Sequence, residues 1–471
     1  MLRQDLIDIL NKNVGKDING LEFYIEDNTK NEIDIEFNKL RSINTYKESG
    51  ISIRTIKDNY LGFSFSTDLS EKSIQNMINQ SAMYSKLTER IPDYNFANNL
   101  KIKDIKGIYD ENIVNINIDN FAMQIEMEIK DIANKYKIRF DKLLLSAKTR
   151  NKNIRNSNNL DYSYKDTLLE IEILMSGSNV YSGRMFVYRD NNIDKIKKDI
   201  NYSARMLNLA RKLRRKKIDN KKDKINMIFH PYSFSCVLLG LLSNVISAES
   251  LYKNETYLKI NDKINEHIEN DIDINFIDDG SLDGGLLSSP IDCEGFPTKK
   301  TVIIENDRFI KPICNNYWSK ITNFENTSNS ARMSYKSSPS LNVSNLIFDI
   351  KEKGSIDDIC VLEKEGIYIL NLFPDPTKFN MTTGEYLFNV IEAYYIKNGE
   401  IKDVMKPFIL IGNAKDLLNN IKLSSKESYS NLGVICPYIS VDLHAIPMPD
   451  ISKKEMISII LKRLYDKIIN R

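Results

Sequence analysis

Apolar residues recur along this chain with two different periods. Leu2, Leu6, Ile9 and Leu10 fall on one face of an N-terminal helix, and short runs of strand length follow at 21–26, 32–37, 51–56 and 61–66. In the second of these runs Ile33, Ile35 and Phe37 alternate with acids, the mark of a half-exposed antiparallel strand. Asp68 or Ser70 then opens a helix to about Leu87, with Ile74, Met77 and Ile78 on its apolar side. Phe121, Ile125, Ile129, Ile132 and Tyr136 recur at helical spacing and predict a second helix, with Asp119 as its cap. Strand-like runs at 143–149, 160–175 and 180–187 precede a helix from Ile193 to about Lys217. Further on, Ile225–Phe229 predicts a strand, His230-Pro231 a break, and Tyr232–Glu249 a long apolar helix. Gly366–Phe373 and Leu387–Ile396 are apolar on both faces, as core strands are. Asn398-Gly399 marks a type I′ hairpin turn, because both positions need positive φ. Phe408–Ile411 is the next strand, and Asn413 caps a short helix from Ala414 to Ile421.

The pattern predicts an α+β protein: an α/β-type N-terminal domain over residues 1–217, a basic linker at 218–224, and a β-rich antiparallel domain at 225–471. A length of 471 residues exceeds what a single core usually holds. The 66 basic residues nearly balance the 64 acidic ones, so net charge gives no pull toward nucleic acid or membrane. The basic stretch from Arg211 to Lys224 lacks aromatic interleaving and is expected to be a solvated helix end and linker rather than a nucleic-acid contact. Cys236, Cys293, Cys314, Cys360 and Cys436 show no CxxC spacing, which suits buried thiols in a reducing compartment. The N-terminus has no apolar signal core, and the most apolar segment, Phe234–Ala248, is shorter than the roughly 20 residues of a membrane span. A soluble, cytoplasmic protein is expected.

Gly366-Ile-Tyr, Thr383-Gly384-Glu385-Tyr386, Glu392-Ala393-Tyr394, Asn398-Gly399-Glu400 and Gly412-Asn413 occur in an order and spacing that resemble the C-terminal half of the TldD/PmbA family. Gly50–Glu71 resembles the N-terminal domain of the same family, two-subunit metallopeptidases in older usage called modulators of DNA gyrase. The resemblance implies a barrel-like second domain. It also implies, in the catalytic TldD-type subunit, an HExxxH helix whose histidines hold a metal and whose glutamate activates water. Aligned on this chain, the histidine positions fall at Gly240 and Val245 and the glutamate at Leu241, while Ser247–Lys253 resembles the PmbA (TldE) subunit. The resemblance therefore implies a subunit without a metal site or other cofactor, paired as a heterodimer with a TldD-type chain that carries zinc and acts on unfolded peptides. A stand-alone homodimeric binding or scaffold protein is the alternative, and a peptidase with an unrecognised site of its own a third.

No catalytic, metal or cofactor residue is assigned from the sequence. His230, His267 and His444 are the chain's three histidines, and no two are spaced as a metal pair on one helix. His444 stands near Asp442 and Cys436, yet a structural role is expected for it, and no metal role is transferred to Cys436; His230 and His267 are expected in packed or solvated positions. Asp278, Asp279, Asp283, Asp292 and Glu294 could gather round a hard cation, but solvated turn residues are the preferred reading. No GxSxG occurs, and Gly280, Gly284 and Gly285 do not form a phosphate loop. Phe373, Phe379, Tyr386, Phe388, Tyr394, Tyr395 and Phe408 load both faces of the second sheet, so a partner subunit is expected to cover one of them.

Overall fold

The computed structural model describes residues 3–15, 17–178, 180–219, 223–265, 273–351 and 354–448. In the first half, β1 (Gly20–Glu36), β2 (Lys39–Lys57), β3 (Tyr60–Ser66), β4 (Arg139–Asn156), β5 (Asp161–Gly177) and β6 (Val180–Tyr188) form one antiparallel sheet in the order β3-β2-β1-β4-β5-β6. Its longer helices are α1 (Arg3–Asn13), α2 (Glu71–Tyr84), α3 (Ile118–Tyr136) and α4 (Ile193–Lys212). Odd-numbered residues of β1 supply the apolar face. Leu21 and Phe23 pack with Leu6, Ile9, Ile74 and Ile78 of α1 and α2. Ile33 and Ile35 join Leu145, Ile171 and Ile173 beneath Ile125, Ile129, Ile200 and Leu207 of α3 and α4.

Local signals account for most boundaries, with corrections. Ser70 caps α2, accepting from Ser73 N, while Asp68 accepts from Ser70 N and Oγ in turn. Asn117 rather than Asp119 caps α3, because only the residue before the first helical turn can turn its side chain back to a free N–H. Phe37 is not a strand residue: with Asn38 it forms the β1–β2 turn at positive φ, and it is 57% exposed. The helix expected to reach Lys217 ends at Lys212, and Arg215-Lys216 pairs in parallel with Val404-Met405. Ile218 is buried in the second core, so the expected linker is packed at its start; residues 220–222 lie outside the described residues.

The second half contains β7 (Ile225–Phe229), β8 (Ile274–Asp279), β9 (Leu346–Ile350), β10 (Glu365–Phe379), β11 (Glu385–Lys397), β12 (Phe408–Asn413) and β13 (Val434–Pro447). Its helices include α5 (Pro231–Leu242), α6 (Ile356–Leu362) and α7 (Ala414–Asn419). β7 pairs with β10 and β13, β10 with β11, β11 with β12, and β12 with β13, so the pairing returns on itself. Each of these five strands therefore has a neighbour on both sides within the ring, although the larger sheet branches from it and keeps edges elsewhere. Asn398 and Gly399 take positive φ as their turn requires, and Asn413 accepts from Lys415 N to cap α7. The long apolar helix is shorter than its sequence suggests. α5 stops at Leu242, and Ser247 starts a separate short helix by accepting from Ser250 N.

Both faces of the paired stretches 227–229 in β7 and 367–373 in β10 are buried, and elements of the same chain cover them. Ile228, Tyr368, Leu370 and Tyr394 pack against Met206 and Ala210 of α4 and Ile359 and Cys360 of α6. Tyr394 Oη donates to Met206 O at 3.1 Å. Phe388, Tyr394 and Phe408 are each at most 1% exposed. The sheet therefore presents no bare aromatic face there, which removes the sequence-based reason for placing a partner on it.

Gly62 shows how closely α2 is seated on β3. A Cβ at this position would stand 1.9 Å from Ser81 O, a backbone atom of a packed helix. Gly62→Ala is expected to lower stability by about 1–3 kcal/mol, read as a fall in the urea midpoint.

Candidate functional site

α5 follows the central strand β7, and His230 caps it, its Nδ1 accepting from Tyr232 N at 2.9 Å. Pro231 follows in the first turn, where a missing N–H costs nothing. Along this helix Leu238, Leu241 and Leu242 are at most 3% exposed, and Val245, in the turn beyond the helix, is fully buried. They share a core with Phe229, Phe276, Phe348 and Leu372. Gly240 is half-buried. Gly240, Leu241 and Val245 thus offer no nitrogen, oxygen or sulfur side-chain donor, and a zinc ion does not fit this helix. Among the described residues, no three His, Cys, Asp or Glu stand together as a metal would need.

The remaining candidates separate. His230 lies among the rings of Tyr202, Tyr368, Tyr429 and Tyr438, with centroids 5.1–6.3 Å away. Burial, with the Arg184 charge adding, pushes its pKa down to about 3, so it is a neutral cap at neutral pH. His444 lies on β13 beside Asp223, Nδ1 to Oδ1 3.6 Å. Asp442 accepts instead from Asn226 Nδ2 and Lys422 Nζ. Cys436 is buried with Sγ 3.5 Å from Pro231 O, and burial pushes its thiol well above the usual range. The five cysteines are free, and His267 lies outside the described residues.

The acidic residues of the 278–294 region hold loops in shape. Asp278 accepts from Ser344 N and Oγ, both at 2.6 Å, and from Asn329 Nδ2 at 2.7 Å; burial raises its pKa to about 6 against these bonds. Asp279 accepts from Ser281 and Asp283 from Lys106 N. Asp292 accepts from the backbone of Glu294, Phe296 and Ser330, and burial, with Glu294 adding, holds it well above the ordinary carboxylate range. Glu294 accepts from Arg54 Nη1 at 3.1 Å, Tyr94 Oη at 2.8 Å and Asn316 N at 2.9 Å.

Arg54 is the centre of a buried cluster that sequence reasoning missed. Its guanidinium also holds Glu22 Oε1 at 2.7 Å, and Arg332 Nη2 reaches the same oxygen at 3.2 Å. Arg332 further donates to Ser52 Oγ and Cys293 O. The signal that could have found it is an arginine on a strand otherwise written Ile-Ser-Ile-x-Thr-Ile, whose aliphatic neighbours announce burial.

The face of the first sheet turned away from the helices carries rows of paired charges. Register places Lys30, Lys148 and Leu168 in one row, and Glu32, Ser146 and Glu170 in the next. Lys148 pairs with Glu170 at 2.8 Å, Arg150 with Asp166 at 2.6 Å, Lys142 with Asp34 at 3.5 Å, and Lys30 with Glu32. Burial would raise Asp166, yet Arg150, Lys152 and Arg189 together hold it below its ordinary value. Glu172 moves the other way. Burial lifts it to about 7 despite Lys142, and Asp34, Glu32 and Glu170 add repulsion. One end of this face is covered by Ile291, Phe296 and Tyr335 over Tyr24 and Ile154, the other by Ile391 against Leu174 and Met185. The acids Asp166, Glu170 and Glu172 on this face are buried, so their charges are met within the sheet rather than by water.

Residues 222–446 match the family profile described as the PmbA/TldA metallopeptidase C-terminal domain, and residues 21–83 match its domain 1. An uncharacterized protein of Methanocaldococcus jannaschii is 30% identical over 78% of this chain and 83% of its own length. A metalloprotease of the same organism is 24% identical over 89% of this chain and 92% of its own. The crystal structure of TldE from Thermococcus kodakarensis is 22% identical with a TM-score of 0.78, covering 94% of this chain and 99% of that one. A Thermotoga maritima structure reaches 0.81 at 17% identity with the same coverage. These structural likenesses establish the fold. No helix among the described residues is long and apolar enough to cross a membrane.

Leu241→Glu is expected to cost at least about 3 kcal/mol by denaturant melt, through loss of core packing and burial of an unpartnered carboxyl. Glu172 gives a pH signature. Its folded pKa stands above the unfolded one, so the stability it contributes is full below about pH 4.5 and is lost as pH rises through about 7. Glu172→Gln should flatten that decline. Relative to the parent it should gain up to about 3 kcal/mol between pH 5 and pH 8, read as the difference in melting temperature.

Proposed function

The chain belongs to the PmbA/TldD metallopeptidase family, and we propose that it serves there as the PmbA (TldE)-type subunit, structural and without a metal of its own. The observation that carries this reading is α5. The positions that would bear two histidines and a glutamate are Gly240, Leu241 and Val245, and the latter two are core residues. Zinc and the proteolytic step would then belong to a TldD-type chain, with which this one forms a cytoplasmic heterodimer. Five free cysteines agree with a reducing compartment.

The substrates would be unfolded peptides, processed or degraded. The ion-paired face of β1, β4 and β5 suits a chamber wall past which extended chains of varied sequence move. Lys148–Glu170 and Arg150–Asp166 are already satisfied internally and bind no one residue type strongly. This chain would shape the chamber while its partner cuts.

Metal content and peptidase assays test the reading together. The isolated chain is expected to hold no stoichiometric zinc and to leave unfolded casein intact. Mixed with an HExxxH-bearing chain from the same cell, it is expected to form a stable complex that cleaves casein and is stopped by a chelator. About one zinc per isolated chain with chelator-sensitive cleavage would overturn the proposal. So would a chain that ignores the partner and sediments as a homodimer, which would leave the scaffold reading.

A further inference from the structure

The hairpin of β1 and β2 runs past the strand beside it. β2 spans Lys39–Lys57, yet β3 pairs only with Ile51–Lys57 of it. Residues 39–49 therefore have β1 on one side and, among the described residues, no strand on the other. No backbone hydrogen bond from another described element reaches them. Along such an edge every second residue turns its N–H and C=O outward without a partner. At about 3.3 Å per residue the free stretch is roughly 36 Å long.

Its side chains are unusual for an edge left to water. Leu40, Ile43 and Tyr46 are 57%, 46% and 50% exposed. Register sets Ile43 beside Ile33 and Leu40 beside Ile35, both core residues, so the apolar face of the sheet runs out to the edge and stops there. Tyr46 lies on the other face, with Lys30 Nζ 5.6 Å from its ring centroid. The charges have one sign to spare. Glu36 is answered by Arg41 at 3.1 Å and Glu48 by Lys336, while Lys39 and Lys47 stand exposed near the two ends.

Two features turn a second copy away. Ser42 stands opposite Asp34 and Leu40 opposite Ile35, so Arg41 is a bulge that breaks the alternation of faces. A two-fold antiparallel pairing centred on Ile43 would set Lys47 against Lys39, and one centred on Asn44 would set it against Arg41. Like charges directly opposite one another repel. An unfolded segment is bound by no such symmetry. We infer that the free edge of β2 takes an extended, acidic segment of another polypeptide as an added strand. Its backbone pairs with the outward N–H and C=O groups, its carboxylates meet Lys39 and Lys47, and its apolar side chains lie on Leu40 and Ile43. The inference does not rest on the subunit reading, since it needs neither zinc nor a partner chain of the family.

Hydrogen exchange with a defined peptide tests it. The probe alternates valine and serine between terminal pairs of glutamates and is long enough to span the stretch. Added to the full chain, it is expected to slow exchange of the outward amides within 39–49 and of none in the second sheet. The same sequence N-methylated throughout keeps its side chains, loses its backbone donors, and is expected to give no protection. Lys39→Glu with Lys47→Glu, both exposed positions, is expected to weaken binding of the glutamate-ended probe by about tenfold and to favour a lysine-ended one by a similar factor. Unchanged exchange in 39–49, equal protection by the N-methylated peptide, or indifference to the charge reversal overturns the inference. So does slow exchange of the outward amides in the chain alone. If it fades on dilution the edge belongs to a second copy, and if it persists the chain covers its own edge.

Discussion

Buried arginine is the constraint on which this architecture turns. Arg54, near the C-terminal end of β2, is 2% exposed and reaches Glu294 in the second half. Arg184 of β6 holds Glu392 of β11 at 2.7 Å, where Ser182 and Tyr394 complete the site. Arg189, just past β6, donates to the carbonyls of Gly285 and Leu286. A guanidinium stripped of water is tolerable only with its acceptors in place, and removing one partner typically costs about 3–5 kcal/mol. Exchanging such pairs for apolar residues is often neutral, so their larger effect is on arrangement. They admit one docking of the two halves and penalise every other.

The same constraint explains how the polypeptide divides its labour. α4 ends the first half in sequence but lies over the second sheet, with Met206 and Ala210 against Tyr368 and Tyr394. Arg215-Lys216 joins that sheet as a strand, and Ile218 enters its core. The ionic contacts and this apolar lid therefore act on one interface from two sides. Between the two covered ends lies the ion-paired stretch of β1, β4 and β5, whose acids Asp166, Glu170 and Glu172 are themselves buried. A wall of that kind keeps its shape because its charges are satisfied within it.

Features written in neighbouring residues were legible in the sequence. The Phe121–Tyr136 spacing marks α3, Asn398-Gly399 its turn, and the two-sided apolar runs identify β10 and β11 as core strands. The absence of ligating side chains at Gly240, Leu241 and Val245 is equally plain. What the sequence does not disclose depends on distant partners. Arg54 meets Glu294 across 240 positions, and nothing around either residue announces the other. Part of the cover on the second sheet comes from α4, which local reading assigns wholly to the first half. Even α5 ends earlier than its pattern predicts, because the apolar residues persist through the turn at Val245 and only the cap at Ser247 marks the break.

The closed ring also sets an order of events during synthesis. The sheet of the first half grows by hairpins between successive strands, β1 with β2, β2 with β3, β4 with β5 and β5 with β6, and only the β1–β4 pairing spans far. It can be complete while the ribosome is still adding the rest. β7, by contrast, must sit between β10 and β13, so Met227 waits for Ile367 and then for Val441. At roughly 5–20 residues per second, this apolar strand stays without either neighbour for several seconds or longer. For that interval α5 and the lower side of α4 have no sheet to rest on. The newborn chain then carries a first sheet whose strands are all made, ahead of a second sheet whose ring stays open until β13 is added.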